Sequence, residues 1–166
     1  MIDGYGRTID YVRISVTDRC NLRCVYCMPE EGVCSISHEE ILRFGEIERV
    51  CQILAENGIQ KIKLTGGEPL VRRRLPELAA ALKRIPGIKS LTITTNGVLL
   101  EEMYDALADA GVDSVTISLD TLDASVYRQL TRRDEIEAVR RGLRTAIQKG
   151  RMQIKINCVP VLGIEE

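Results

Sequence analysis

Short β-type segments alternate with helical segments along this sequence, and this alternation limits the folds that the chain can adopt. The β-type segments are predicted at residues 11–16, 61–65, 91–95, 114–119 and 153–159. Between them, apolar residues recur every three to four positions, as expected for amphipathic helices. Helical connections of this length join parallel strands through right-handed crossovers. The sequence therefore predicts an α/β domain with about five parallel strands.

The first connecting helix is predicted from Ser37 to Asn57. Ser37-His38-Glu39-Glu40 has the capping-box pattern that starts helices, and Gly58 follows as a stop signal. His38 is the only histidine, and this position favours a structural role over a catalytic one. The later helices are predicted at 75–84, 101–110, 124–130 and 135–149.

We expect a single domain over residues 1–166, because this length supports one hydrophobic core. Five strands cannot close an eight-stranded barrel, and the glycine fingerprint of dinucleotide-binding sheets does not follow the first strand. The architectures that remain possible are a partial (βα) barrel and an open sheet. The outer edges of the first and fifth strands would then be unpaired, so we expect further structure downstream and a tendency to form a homo-oligomer through these edges.

Charge and cysteine content narrow the function classes. The 23 basic and 24 acidic residues give a net charge of -1, which provides no general attraction for nucleic acid or for a membrane surface. No apolar run reaches the ~18 residues of a membrane span, and the N-terminus is too polar for a secretory signal. We therefore expect a cytoplasmic protein whose six cysteines are reduced and available for metal binding or catalysis.

Three of the cysteines lie close together directly after the first strand. Cys20, Cys24 and Cys27 have the spacing C-x3-C-x2-C. Three thiolates on one short loop can bind an iron–sulfur cluster and leave one iron without a protein ligand. Arg19 and Arg23 are expected to favour the thiolate form. The alternatives are a zinc site or unreactive thiols, but structural zinc sites usually combine two cysteine pairs, and no second pair occurs.

A second motif, Thr65-Gly66-Gly67-Glu68-Pro69, follows the second strand. Consecutive glycines let the backbone approach a ligand with exposed amide groups, although a simple turn is the alternative. Ligands of parallel βα folds gather at the carboxyl ends of the strands. The cysteine loop and the glycine pair both lie at such ends, so we expect them to face one site.

Together these motifs resemble the radical S-adenosylmethionine (SAM) enzymes. The resemblance rests on the three cysteines, with Tyr26 before the last of them, and on the GGEP sequence at 66–69. A longer similarity, to the GTP 3',8-cyclase family of molybdenum cofactor biosynthesis, runs from Arg13 to Pro29 and continues through TGGEPL, TTNG, SLD and Lys155-Ile156-Asn157.

The resemblance implies the N-terminal portion of a radical SAM core, with a [4Fe-4S] cluster and SAM as cofactors. A one-electron reductant would allow SAM to be cleaved to a 5'-deoxyadenosyl radical, which converts GTP to (8S)-3',8-cyclo-7,8-dihydroguanosine 5'-triphosphate. No catalytic side chain is carried over. The implied cluster ligands are Cys20, Cys24 and Cys27; the implied SAM contacts are Tyr26, Gly67 and Ser118; the implied GTP contacts are Arg13, Lys63, Thr94 and Lys155.

Three departures from the family pattern accompany the resemblance. Arg74 stands where the family commonly has aspartate, which places a cation unfavourably near a helix start. Lys63 stands where the family usually has arginine, which keeps the charge but loses the bidentate geometry for phosphate. The family also has a C-terminal half with a second three-cysteine cluster, and this sequence holds no second C-x2-C pair. Two alternatives stay open at this point: a radical SAM enzyme with another substrate, and a non-catalytic metal-binding domain.

Overall fold

The computed structural model describes residues 2–34, 37 and 39–161, in which β-strands and helices alternate. The strands are β1 (Tyr11–Ser15), β2 (Lys61–Thr65), β3 (Ser90–Thr95), β4 (Ser114–Ser118) and β5 (Gln153–Asn157). The helices are α1 (Phe44–Glu56), α2 (Leu75–Lys83), α3 (Leu100–Asp109), α4 (Ala124–Thr131) and α5 (Ile136–Lys149), with a short 3-10 helix at Pro69–Val71.

The five strands form one sheet in the order β1-β2-β3-β4-β5, and every neighbouring pair is parallel. Each strand therefore pairs with the next one along the chain, which is the arrangement of a barrel wall. The predicted α/β fold with five parallel strands is confirmed. Strands β1 and β5 lie at the two edges of the sheet.

The two faces of the sheet differ because successive side chains in a strand point to opposite sides. One face is apolar and packs with residues of all five α-helices into one core. Its central strands contribute Ile62, Leu64, Leu91, Ile93, Val115 and Ile117, all of them buried. The opposite face is polar and more exposed, and it carries Arg13, Lys63, Thr94, Thr116 and Lys155.

Helix α1 begins at Phe44, seven residues after the predicted start at Ser37, so that prediction is wrong. The Ser37 hydroxyl does donate to Glu40 Oε2 at 2.9 Å, but this closes only a local turn. A second acid, Glu46, accepts the Arg43 N–H at 2.6 Å at the true helix start. The helix begins there because the residues that follow are the ones that bury against the sheet. His38 lies outside the described residues.

The fifth strand is also shorter than predicted. It ends at Asn157 rather than at Val159, because the Val159 N–H donates to the Asp120 carboxylate at 2.9 Å instead of to a strand. The remaining boundaries agree with the predicted segments to within about one residue, as is usual for element ends. In the part of the chain that the structure describes, no helix is long and apolar enough to cross a membrane.

Candidate functional site

The three-cysteine loop leaves the sheet at the carboxyl end of β1 and turns sharply between its last two cysteines. The N–H groups of Cys27 and Met28 both donate to the Cys24 carbonyl, at 2.9 and 3.1 Å. The Leu22 N–H lies 3.4 Å from Cys20 Sγ and donates to it. Cys20 and Cys24 are partly buried, whereas Cys27 is exposed. The loop therefore offers one accessible thiol and two that are held against the protein.

The thiols of the loop lie near enough to affect one another's ionisation. Burial raises the pKa of Cys20 and of Cys24, and the negative charge of neighbouring cysteines raises both further. Among the described residues, no group of three or more His, Cys, Asp or Glu side chains is placed so that it could hold a single metal ion. A [4Fe-4S] cluster binds each cysteine at a different iron, so three neighbouring but separate thiols fit its ligand set.

The prediction that the loop's arginines favour thiolates is wrong for Cys20 and Cys24, whose pKa values are raised. Burial is the largest cause of both rises. The Arg23 guanidinium instead donates to the carbonyls of Cys20 and Leu22, both at 2.8 Å. This side chain therefore holds the shape of the loop.

The C-terminus of helix α4 holds the cysteine loop through hydrogen bonds. The Arg23 N–H donates to the Thr131 carbonyl and the Val25 N–H to the Leu130 carbonyl, both at 2.9 Å. The next residue, Arg132, donates through Nη1 to the carbonyls of Met28 and Arg23 at 3.0 and 3.3 Å. The segment that contains Cys24 and Cys27 is thus fixed at both ends by the C-terminus of α4. No sequence pattern indicated this contact.

The glycine pair works differently from the prediction. The Gly67 amide is not open to a ligand, because its N–H donates to the Thr17 carbonyl at 2.7 Å. The next amide, that of Glu68, donates to the Arg19 carbonyl at the same distance. A Cβ on Gly66 would lie 2.4 Å from the Thr17 carbonyl oxygen, and one on Gly67 would lie 2.3 Å from that of Arg19. Glycine is required here because two backbones touch, which joins β2 to the cysteine loop.

Glu68 is a functional candidate that sequence reasoning missed. Its buried carboxylate accepts the Leu70 N–H at 2.9 Å, the Thr95 hydroxyl at 2.7 Å and the Asn96 N–H at 2.6 Å. Burial raises the pKa of Glu68, and the three hydrogen bonds oppose that rise. The signal that could have found this residue is an acid in the middle of an otherwise apolar and glycine-rich strand end.

Asn96 carries this connection from Glu68 to the cysteine loop. Its side-chain nitrogen donates to the Asn21 side chain at 2.7 Å and lies 3.9 Å from Cys20 Sγ. Hydrogen bonds therefore link the carboxyl ends of β2 and β3 to the cysteine loop, from the Glu68 carboxylate through the backbone N–H and the side chain of Asn96 to Asn21.

Tyr26 and Ser118 come together beside Cys24, as the resemblance implies for a common site. They line a small cavity of about 40 Å³ together with Asn96 and Tyr127. The Tyr26 hydroxyl donates to the Asp120 carboxylate at 2.6 Å, and burial with this hydrogen bond raises the pKa of Tyr26. Gly67 does not line this cavity.

The four predicted GTP contacts all lie on the polar face of the sheet. Arg13 and Lys63 are direct neighbours in the register of β1 and β2. Thr94 pairs with Thr116, which in turn pairs with Lys155 on the edge strand. Three cations and a hydroxyl therefore share one face of the sheet, and the cysteine loop follows the carboxyl end of β1 in that sheet.

The chain has close relatives of known name. It is 52% identical to the GTP 3',8-cyclase of Pelotomaculum thermopropionicum and 48% identical to that of Petrotoga mobilis, in both cases over the whole chain and 51% of the relative. The chain thus spans about half the length of the curated relatives it matches.

Solved structures and a family model agree on the fold. Streptococcus suis SuiB bound to S-adenosylmethionine matches with a TM-score of 0.72 at 23% identity, over 90% of this chain and 33% of that one. The protein anSMEcpe with bound AdoMet matches with a TM-score of 0.70 at 20% identity, over 89% of this chain and 41% of that one. Residues 14–166 match the model of the Radical SAM superfamily, and the chain belongs to that superfamily.

Proposed function

We propose that this chain forms the cluster- and SAM-binding part of a GTP 3',8-cyclase. The observation that carries the proposal is the three-cysteine loop itself, which α4, the glycine pair and Asn96 hold at the carboxyl end of the sheet. The names of the relatives at 52% and 48% identity support the choice of reaction. No comparable observation favours zinc, and the same names favour GTP over another radical SAM substrate.

In this proposal Cys20, Cys24 and Cys27 bind a [4Fe-4S] cluster whose fourth iron is left for SAM. When bound, these groups supply one-electron cleavage of SAM, with the electron coming from an external reductant. Tyr26 and Ser118 border the SAM site through the cavity beside Cys24. The amide of Gly67 is already bonded, so this residue would contact SAM through its carbonyl.

The polar face of the sheet is the proposed GTP site. Arg13, Lys63 and Lys155 would bind the triphosphate, because charge-assisted hydrogen bonds are the strongest that a protein offers to phosphate. Thr94 lies on the same face and would donate or accept a single hydrogen bond.

The product would be the cyclised nucleotide of the molybdenum cofactor pathway. We also propose a cytoplasmic location, since all six cysteines are free thiols.

The cluster assignment is tested by replacing single cysteines. After anaerobic reconstitution, Cys24→Ala should retain far less iron and sulfide than the parent, because only two thiolates would hold the cluster. Cys34→Ala and Cys51→Ala are matched controls, one exposed and one buried, and both should load like the parent. Iron and acid-labile sulfide analysis gives the answer. Equal iron in Cys24→Ala and the parent would contradict the assignment.

The substrate assignment is tested by salt. Arg13 and Lys155 are exposed, so their attraction for the triphosphate should be screened, and calorimetry should show GTP affinity falling as ionic strength rises. Lys155→Gln should reduce both the affinity and its salt dependence. Assays for 5'-deoxyadenosine and for the cyclised nucleotide would accompany the binding data. GTP affinity that is unchanged by salt and by Lys155→Gln would contradict this site.

A further inference from the structure

One buried polar group near the cysteine loop has no role in the proposal so far. Tyr127 on α4 is 3% exposed, and its hydroxyl has no hydrogen-bond partner among the described residues. The nearby Thr131 hydroxyl donates to the carbonyls of Tyr127 and Arg133, at 2.8 and 3.1 Å, and makes no hydrogen bond of normal geometry with the Tyr127 hydroxyl. Buried hydroxyls are nearly always bonded, so the Tyr127 hydroxyl is available to donate to a bound group.

The surroundings of Tyr127 indicate which atom of a bound group could accept a hydrogen bond from its hydroxyl. Tyr127 lines the cavity of about 40 Å³ with Cys24, Tyr26, Asn96 and Ser118. The polar atoms of Tyr26 and Asn96 are already bonded to Asp120 and Asn21. The cavity has room for one small group and is far smaller than a SAM molecule.

The charged neighbours of Tyr127 are Cys24, Glu135 and Cys20, and of these three only Cys24 lines the same cavity. The Asp120 carboxylate also lines the cavity, and its two oxygens already accept the Tyr26 hydroxyl and the Val159 N–H. A phenol carries its proton at neutral pH and donates it to a nearby negative atom. A thiolate or sulfide sulfur beside Cys24 is such an acceptor.

We propose that the Tyr127 hydroxyl donates a hydrogen bond to a sulfur of the cluster bound at Cys24, and that this bond raises the cluster's reduction potential. This inference rests on the proposed function. A hydrogen bond to sulfur stabilises the reduced cluster more than the oxidised one, because the reduced cluster carries one more negative charge. Tyr127 would thus make the cluster easier to reduce.

The test compares Tyr127→Phe with a second buried tyrosine. Tyr104 on α3 is fully buried, but its hydroxyl accepts the N–H groups of Arg151 and Met152, at 2.9 and 3.2 Å, and donates to the Ala146 carbonyl at 3.3 Å. Each protein is reconstituted anaerobically without SAM and titrated with dithionite in the presence of redox mediators. The electron paramagnetic resonance signal of the reduced cluster gives the midpoint potential.

Tyr127→Phe should lower the midpoint potential at unchanged iron content, because the hydrogen bond to the cluster sulfur is lost. Tyr104→Phe should lose thermal stability at an unchanged potential. Equal potentials for Tyr127→Phe and the parent would overturn the inference. So would weaker SAM binding at an unchanged potential, since the acceptor would then belong to SAM. A parent that loads no iron would overturn the proposed function itself, and this inference with it.

Discussion

Glu68 accepts three hydrogen bonds inside the candidate site. Its two oxygens accept three donors, which come from the 3-10 helix and from the carboxyl end of β3. A buried carboxylate is costly unless its lone pairs are used, and here they are used by Leu70, Thr95 and Asn96. Asn96 in turn donates to Asn21 in the cysteine loop, so Glu68 is connected to the proposed cluster site through Asn96.

Glu68→Gln should destabilise the fold by about 1–3 kcal/mol at neutral pH. The amide has one oxygen instead of two, and its NH2 group would face a backbone N–H, leaving a buried donor unpaired. Urea unfolding of parent and variant measures the difference. Glu77→Gln is the control, because Glu77 lies in an exposed ion pair with Arg74 and should change stability little. Equal losses in both variants would show that the buried carboxylate has no special importance.

The same variant has a predicted pH dependence. Because burial raises the pKa of Glu68, the folded state takes up a proton at this carboxyl more readily than the unfolded chain does. Its contribution to stability is therefore complete below the unfolded pKa and is lost as the pH rises through the folded pKa. The stability difference between parent and Glu68→Gln should grow as the pH is lowered from neutral toward the ordinary glutamate range. A difference that shrinks would give the opposite sign and contradict the raised pKa.

At the scale of the element, α4 is a support for the cysteine loop as well as part of the core. Tyr127 and Leu130 pack inward, while the last carbonyls of the helix accept N–H groups from the loop. The helix ends at Thr131, and the next residue, Arg132, has the left-handed backbone conformation with φ 55°. Glycine would be favoured there, so arginine at this position is explained by the contacts of its side chain.

Arg132→Gly separates the effect of the left-handed backbone conformation from the effect of the side-chain contacts. The free energy of unfolding of the variant should equal that of the parent or exceed it by up to about 1 kcal/mol, because the left-handed conformation no longer strains a Cβ. It should nevertheless release iron to a chelator faster than the parent, since Met28 and Arg23 lose their shared donor. Arg133→Ala is the control and should match the parent in both measurements. Unchanged iron release in Arg132→Gly would mean that the loop is held by its other contacts alone.

At the scale of the whole molecule, the sheet has an open edge at β5. Among residues 2–34, 37 and 39–161, no strand pairs with its outer side. The Gln153 N–H donates to the Asp113 carbonyl at 2.9 Å, and the Asn157 carbonyl accepts the Leu119 N–H at 3.0 Å, so both residues turn these backbone groups toward the side of β4. Alternate residues of a parallel strand bond to opposite neighbours, so the N–H of Ile156 points to the open edge. Unpaired edges of this kind invite pairing with a second chain.

The chain should therefore self-associate in a concentration-dependent way, and Ile156→Pro should reduce this association. Proline removes the N–H on the open side and leaves the bonds to β4 in place. Gln153→Pro is the control, because it removes the bond to Asp113 and should destabilise the strand itself. Sedimentation velocity over a range of concentrations measures association. A parent that stays monomeric throughout would contradict the prediction.

The sequence by itself determined the order and type of the elements and the identity of the three-cysteine loop. These features are local: strand and helix periodicities extend over five to fourteen residues, and the three cysteines fit within eight. Patterns of this kind can be read without knowing which distant segments meet. The same reasoning placed Arg13, Lys63, Thr94 and Lys155 on strands, and strand alternation then puts them on one face.

Only the tertiary structure decided how the site is held together. The contacts of the glycine pair with Thr17 and Arg19, of Arg132 with Met28, and of Tyr26 with Asp120 join residues from about fifty to more than one hundred positions apart. The start of α1 and the burial of Glu68 and Tyr127 also depend on which segments pack over them. Burial and hydrogen-bond satisfaction are properties of the packed chain, and no local pattern of residues contains them.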